Sequence, residues 1–318
     1  MNDQFGREIN YLRISLTDNC NLRCIYCTPN LIHKNNILSF EDISKIIGVV
    51  KELGIKKIRL TGGEPLLRND LNKIISKIKD TGINEIYLTT NGILLEEKIE
   101  ELKESGLCGV NISLDTLDGE IFKKITRGGD IQKVLRGIEK SLELGLKVKI
   151  NSVIIKGINE KFEDLVRLTE NKNIDVRFIE LMPIGEGKNY QGIDNQEILE
   201  NLKKYFEINE ENFEINGVAK YFRIKNFKGR VGFISPIHSC FCETCNKIRI
   251  TSSGEIKRCL NEKGRFNIKN INEIEIKEIL KNEIMSKPEK HLFGERKDDK
   301  EEKNMNAVSY THLTLPTT

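Results

Sequence analysis

Residues 11–27 read YLRISLTDNCNLRCIYC, and residues 57–65 read KIRLTGGEP. The first stretch opens as a β-like run, Tyr11–Thr17, and passes directly into a loop carrying Cys20, Cys24 and Cys27. The second repeats the plan, since Lys57–Leu60 ends in a glycine pair. Between them Ser39 and Asp42 form a capping-box pattern ahead of Ile43, Ile46, Ile47, Val50 and Leu53. Those residues make one apolar stripe at helical spacing, and Gly54 stops it. Strand, loop, helix, strand is the unit from which parallel sheets with right-handed crossovers are built.

The unit recurs along the chain. Further β-like runs fall at Glu85–Thr90, Gly109–Leu114, Lys147–Ile154 and Asp175–Leu181. Leu71, Ile74, Ile75 and Ile78 form a second helical stripe stopped by Gly82, and Asp130–Leu144 a third stopped by Gly145. The abundance of Val, Ile and Leu predicts strands covered on both faces. Six such units predict an α/β fold, a partial (βα)6 TIM-like barrel two units short of closure. A doubly wound sheet satisfies the same alternation. After about residue 190 the text changes to a helix at Asp194–Phe206, short β-like pieces from Gly217, and a charged helix near Asn272–Ile284. The expected division is therefore a barrel over 1–190 and a smaller C-terminal cluster-binding domain over 191–307. Residues 308–318, VSYTHLTLPTT, break from the Lys/Glu/Asn-rich text before them and are expected to be a non-native tail.

Composition excludes some classes. The 51 basic and 48 acidic residues are interspersed, as in Lys300-Glu301-Glu302-Lys303, so no nucleic-acid footprint stands out. No run approaches the roughly 18 apolar residues of a membrane span. Met1–Glu8 is polar and lacks a secretory core, which predicts a cytoplasmic protein. Six of the 8 cysteines fall in two tight groups, a pattern that in such a chain suggests metal ligands over disulfides. Of the other two, Cys108 reads as a buried structural residue and Cys240 stays ambiguous.

The first group is spaced C-x3-C-x2-C. Three thiolates on one loop hold three irons of a [4Fe–4S] cube and leave the fourth iron open. A chelating ligand such as the amino and carboxylate groups of S-adenosylmethionine (SAM) can take that position. Zinc is the rival, with His33 as a fourth ligand. The glycines of Thr61-Gly62-Gly63-Glu64-Pro65 let the backbone approach a ligand closely, and Glu64 can accept from an ammonium. The second group, Cys242, Cys245 and Cys259, is spaced C-x2-C-x13-C. It reads either as an incomplete zinc ribbon completed by Cys240 or His238, or as a second [4Fe–4S] cluster whose open iron takes a substrate heteroatom. Lys247 and Arg249 alternate on the run that follows, and two cations on one side suit a triphosphate. The loops Thr89–Gly92, Ser113–Asp115, Asn151-Ser152 and Glu180–Pro183 all follow strand ends, where barrel active sites sit.

Together LRISLTDNCNLRCIYC, IRLTGGEP, TTNG, NISLDTLD, VRFIELMPIGEG and FCETCNKIRITSSGEIKRCL resemble the GTP 3′,8-cyclase family of radical SAM enzymes, over about Tyr11 to Ile284. The resemblance implies two [4Fe–4S] clusters, on Cys20, Cys24 and Cys27 and on Cys242, Cys245 and Cys259. It implies SAM contacts at Tyr26, Gly63, Ser113 and Met182, with help from Glu64. It implies GTP contacts at Arg13, Arg59, Thr89, Lys149, Lys247 and Arg249, with Lys57 and Arg177 as additions. The implied reaction is conversion of GTP to 3′,8-cyclo-7,8-dihydro-GTP through a 5′-deoxyadenosyl radical, the first step of molybdenum cofactor biosynthesis. The implied partners are an electron donor such as flavodoxin or ferredoxin and, downstream, cyclic pyranopterin monophosphate synthase. A homodimer is also what the family suggests; neither nucleic acid nor membrane is. Two departures stand out. Lys247 replaces the first arginine of the family's Arg-x-Arg, keeping the charge but losing the fork. The family's Gly-Gly end is not seen in Met305-Asn306-Ala307 or the residues after it, so poor turnover is expected of this polypeptide. Two other readings compete: a radical SAM enzyme that modifies peptides, and a zinc-dependent binding protein on a barrel scaffold.

Overall fold

The computed structural model describes residues 1–27, 36–211, 219–238, 241–260 and 262–290. His33, Cys240, the charged stretch Glu295–Lys303 and the expected tail at 308–318 lie outside the described residues. In chain order the elements are β1 (Tyr11–Ser15), α1 (Phe40–Glu52), β2 (Lys57–Thr61), α2 (Leu71–Asp80), β3 (Glu85–Thr90), α3 (Leu95–Ser105) and β4 (Gly109–Ser113). There follow α4 (Gly119–Thr126), α5 (Ile131–Glu143), β5 (Lys147–Ser152), α6 (Phe162–Asn171), β6 (Ile174–Ile179), α7 (Asn195–Leu202) and β7 (Ile208–Glu211). The chain continues with β8 (Lys220–Ile224), β9 (Arg230–Ile234), β10 (Lys247–Ile250), β11 (Ile256–Lys257) and α8 (Glu273–Met285).

Local signals explain the elements. Ser39 caps α1, and the Asp42 carboxylate returns a bond to the Ser39 backbone, completing the box. Such a cap stabilises a helix by about 1 kcal/mol. Gly54, Gly82 and Gly145 all take positive φ just past their helices, where other residues are strained.

All strands join one sheet in the order β11-β10-β1-β2-β3-β4-β5-β6-β9-β8-β7. The first six follow one another without reversal, which rules out a doubly wound sheet. The C-terminal segment adds a parallel strand to each edge, β10 beside β1 and β9 beside β6. The parallel run thus reaches eight strands, although among the described residues no pairing joins β9 to β10. Antiparallel β11 finishes one edge and β8 with β7 the other. The division expected near residue 190 falls between β6 and β7, and the sheet runs across it.

The sheet curves. β2 and β6 stand four strands apart, about 19 Å in a flat sheet. Even so, the Arg59 charge helps depress the Arg177 pKa, after the larger effect of burial. The outer face is apolar: Leu12, Ile14, Ile58, Leu60, Leu88 and Ile112 are almost wholly buried in one core with the helices. Cover on both faces, which the composition predicts, does not make both faces apolar. Alternate residues on the concave side are Tyr11, Arg13, Arg59, Thr89, Asn111 and Lys149, so the strands bury one apolar face and line a polar lumen with the other.

Candidate active site

The loop after β1 carries the first cysteine group. Ile25 donates to Ile125 O and Arg23 to Thr126 O, which fastens the loop to the end of α4. Tyr26, Leu181, Val153 and Ile155 form a small apolar cluster against which Cys24 and Cys27 pack. The Cys24 thiol is pushed well up, first by burial and then by Cys27, Asp115 and Cys20, so the three sulfurs share one space. Thiols crowded this way suit a metal that binds them as thiolates.

The glycine pair serves this loop in a way the sequence reading did not foresee. A Cβ on Gly63 would stand 2.2 Å from Asn19 O, and one on Gly62 2.6 Å from Thr17 O. The backbone that Gly62 and Gly63 approach closely is that of the cysteine loop. Gly63 N donates to Thr17 O and Glu64 N to Asn19 O, each at 2.7 Å. Glu64 is fully buried. Its Oε1 accepts from Thr90 Oγ1 at 2.8 Å and Leu66 N at 3.0 Å, and its Oε2 from Asn91 N at 2.7 Å. Burial raises its pKa to about 7 in spite of those bonds.

Tyr26, Ser113 and Met182 lie at the same end of the barrel. Tyr26 donates to Asp115 Oδ2 at 2.5 Å, and Asp115 Oδ1 accepts from Val153 N at 2.9 Å. Asn159 Nδ2 braces this arrangement through Asp115 O and Val153 O. Burial lifts Asp115 to about 6. Ser113 ends β4 and is exposed, whereas Met182 follows β6 and is buried. Cys108, expected to be buried, is only partly so, and its thiol donates to Asn84 O at 2.8 Å.

The second cysteine group lies at the opposite pole. Because β10 runs parallel to β1, Cys242 and Cys245, which precede it, sit beside Asn10 at the N-terminal end of β1. The β10–β11 register pairs Arg249 with Lys257, and two residues on it sets Cys259 across from Lys247. Burial would raise the Cys245 thiol, but Lys287, Lys247 and Arg249 outweigh it and lower the pKa. His238, one alternative for a fourth ligand, pairs its Nδ1 with Glu180 Oε1 at 2.9 Å. Arg7 ties the N-terminal arm to this pole, donating to Cys242 O at 2.8 Å and to Pro288 O at 2.7 Å.

Between the poles runs a ladder of cations. The pairings Tyr11–Lys247 and Arg13–Arg249 on one side, and Tyr11–Lys57 and Arg13–Arg59 on the other, align three strands. Arg59 Nε donates to the Tyr11 hydroxyl, and its Nη1 lies 3.5 Å from Thr89 Oγ1. Lys57 Nζ stands 4.5 Å from the Tyr87 ring centre. Across the lumen Lys149 meets the Tyr221 hydroxyl at 3.0 Å and Asp175 at 3.0 Å. Arg177 donates to Asn151 Oδ1 at 2.6 Å, but its buried Nε has no partner. The crowding shows in proton affinity. Arg13 falls to about 9, first through burial and then through Arg249. Lys247 falls to about 8, chiefly through burial. Burial would raise Tyr11, yet Arg59, Arg13 and Lys57 bring it down to about 8. Uncompensated cations held out of water call for an anionic ligand. Every residue expected to meet GTP lies on this ladder. Tyr11, Tyr221, Asp175 and Arg230 also belong to it and escaped the sequence reading. Period-two alternation with Arg13 was the one available signal for Tyr11.

Fold and site together define a radical SAM enzyme. Residues 14–169 match the Radical SAM superfamily, and residues 174–293 match Molybdenum Cofactor Synthesis C. The structure is similar to that of Streptococcus suis SuiB bound to S-adenosylmethionine, with a TM-score of 0.63 at 17% identity over 88% of this chain and 68% of that one. Native anSMEcpe with bound AdoMet gives 0.56 at 19% identity over 84% and 80%. These two likenesses concern the fold. The GTP 3′,8-cyclase of Clostridium perfringens (strain SM101 / Type A) is 49% identical, covering 96% of this chain and 98% of its own. That of Alkaliphilus metalliredigens (strain QYMF) is 43% identical over 97% and 99%. The chain belongs to the GTP 3′,8-cyclase family. As a member of the radical SAM class it uses SAM and an iron–sulfur cluster.

Proposed function

We propose that this chain converts GTP to 3′,8-cyclo-7,8-dihydro-GTP, the first step of molybdenum cofactor biosynthesis. The observation that carries the reading is the cation ladder strung between two three-cysteine groups at opposite poles. SAM, held on the cluster that Cys20, Cys24 and Cys27 would carry, would supply a 5′-deoxyadenosyl radical able to take the ribose 3′ hydrogen; the whole conversion would need one electron to cleave SAM and a second, with a proton, to complete the dihydro product. The residues supply the rest. Cys20, Cys24 and Cys27 hold the SAM cluster, and Tyr26, Gly63, Ser113 and Met182 surround SAM. Glu64 acts on that site through Thr90 and Asn91, its oxygens already engaged.

Arg13, Arg59, Thr89, Lys149, Lys247 and Arg249 bind GTP, joined by Lys57 and Arg177, whose orphaned Nε suits an acceptor on the nucleotide. Cys242, Cys245 and Cys259 hold a second [4Fe–4S] cluster. Support comes from the β10–β11 register, from the cations around Cys245, and from the engagement of His238 by Glu180. At roughly 3.3 Å per residue, the strands between the groups are about 20 Å long, room for a nucleotide to reach both poles. Lys247 offers a point charge where a guanidinium would grip two oxygens, so it contributes attraction more than orientation. A flavodoxin- or ferredoxin-type donor supplies electrons, a cyclic pyranopterin monophosphate synthase takes the product, and the working form is a homodimer.

The test is 5′-deoxyadenosine formation by anaerobically reconstituted protein with SAM and dithionite. Formation that rises with GTP and not with ATP is expected. Formation indifferent to GTP would keep the radical SAM class and remove the substrate assignment. Iron and zinc analysis of the Cys242→Ala variant separates the metals, since loss of iron without loss of zinc is expected.

A further inference from the structure

We infer that Asn91 is a positioning residue that sets the reduction potential of the cluster on Cys20, Cys24 and Cys27, by donating its side-chain amide to the Cys20 sulfur. The inference rests on the proposal that those cysteines hold the cluster.

Asn91 belongs to the Thr89-Thr90-Asn91-Gly92 loop that follows β3. Its side chain has one available orientation. The Oδ1 accepts from Ile93 N at 3.1 Å, so the nitrogen must face the cysteine loop. Both amide hydrogens are then placed, one on Asn21 Oδ1 at 2.8 Å and one on Cys20 Sγ at 3.7 Å. That last distance is long for an oxygen acceptor and ordinary for the larger sulfur. The backbone is pinned as well. Asn91 N donates to the buried Glu64, whose other oxygen accepts from Thr90 Oγ1, which in turn accepts from Gly92 N at 3.0 Å. Leu22 N adds a second donor to Cys20 Sγ at 3.4 Å. The sequence places TTNG after a strand end, where barrel active sites sit; in the fold it holds an amide against the sulfur of Cys20.

Reduction puts added negative charge on the cluster and its thiolates. An N–H aimed at a thiolate stabilises that charge, and donors to sulfur are among the levers that set such potentials. Asn91 therefore makes the first cluster easier to reduce. The second group supplies an internal reference in the same molecule.

The experiment is a redox titration of the anaerobically loaded holoprotein followed by electron paramagnetic resonance, with and without SAM. The wave that responds to SAM reports the first cluster. Asn91→Ala is expected to lower that wave, cutting its reduced-to-oxidised ratio about fivefold to tenfold at a fixed ambient potential. Asn91→Asp, which replaces the donor by a charge, is expected to lower it further. The SAM-insensitive wave stays in place in both. Asn21→Ala removes the other partner of the same amide and keeps the sulfur bond, so it is expected to leave the SAM-responsive wave unmoved. An unchanged wave in Asn91→Ala, or an equal shift in Asn21→Ala, would overturn the inference and leave the proposed function standing. A parent protein with no SAM-responsive wave would overturn both.

Discussion

Glu64 is a carboxylate removed from water. Burial, the largest influence, raises its pKa from 4.5 to about 7, against the pull of Asn91 N, Leu66 N and Thr90 Oγ1. Between those two values the folded protein keeps a proton that the unfolded chain has released. The associated stability is whole below pH 4.5 and is lost as pH rises through about 7, amounting to about 3 kcal/mol at most. Glu64→Gln cannot ionise, so its thermal midpoint, relative to the parent, is expected to gain between pH 5 and pH 8; parallel curves would refute the assignment. Asp175 shows the opposite sign. Burial would raise it, but Arg230 and Lys149 bring it below the usual carboxylate range. Arg230 grips it with Nε at 3.0 Å and Nη2 at 2.8 Å. Asp175→Asn leaves two lumenal cations facing each other and is expected to cost about 2–4 kcal/mol in a urea titration. GTP should recover more stability in that variant than in the parent, because the triphosphate supplies the missing charge.

At the level of elements, the two edge additions carry the site. β9 can lie against β6 only because residue 229 lacks a side chain: a Cβ there would stand 2.0 Å from Ile174 O. The obstacle is backbone and cannot swing aside. Gly229→Ala is therefore expected to lift the start of β9, with a loss of about 2–4 kcal/mol and a raised KM for GTP as Arg230 releases Asp175. A stability within 0.5 kcal/mol of the parent, roughly the scatter of neutral surface changes, would refute this. The six central strands and the cap of α1 are legible in the chain because each is signalled locally, by a short run rich in Val, Ile and Leu, a capping pair or a terminal glycine. The edge strands are not. Arg230 meets Asp175 across 55 residues, and Asn246 meets Asn10 across 236. Short alternating runs say that a strand exists and leave its partner open. The same applies to the site: cysteine spacing marks the two groups, but their places at opposite poles depend on β10 running parallel to β1. The polar lumen was hidden by the Ile and Leu between its cations, which dominate the composition of each run.

On the scale of the molecule, an early and a late strand of the described chain close one seam. β1 is covered on one side by β2, whose residues follow soon after, and on the other by β10, which comes late. Arg7 fastens the same corner, with its charge paired to Asp3 at 2.6 Å in a site nearly closed to solvent. A chain ending before Lys247 would carry β1 as a bare edge with unpaired backbone groups, the usual template for association between sheets. Such a truncation is expected to precipitate, or to elute as large species on sizing; full solubility would contradict the pairing. The same feature has a meaning in time. At about 5–20 residues per second, synthesis takes roughly 10–50 s to travel from β1 to β10. For that interval the strand leading into Cys20, Cys24 and Cys27 stands uncovered on the growing polypeptide. The wall behind that loop is therefore completed only after β10, far along the chain, has been made.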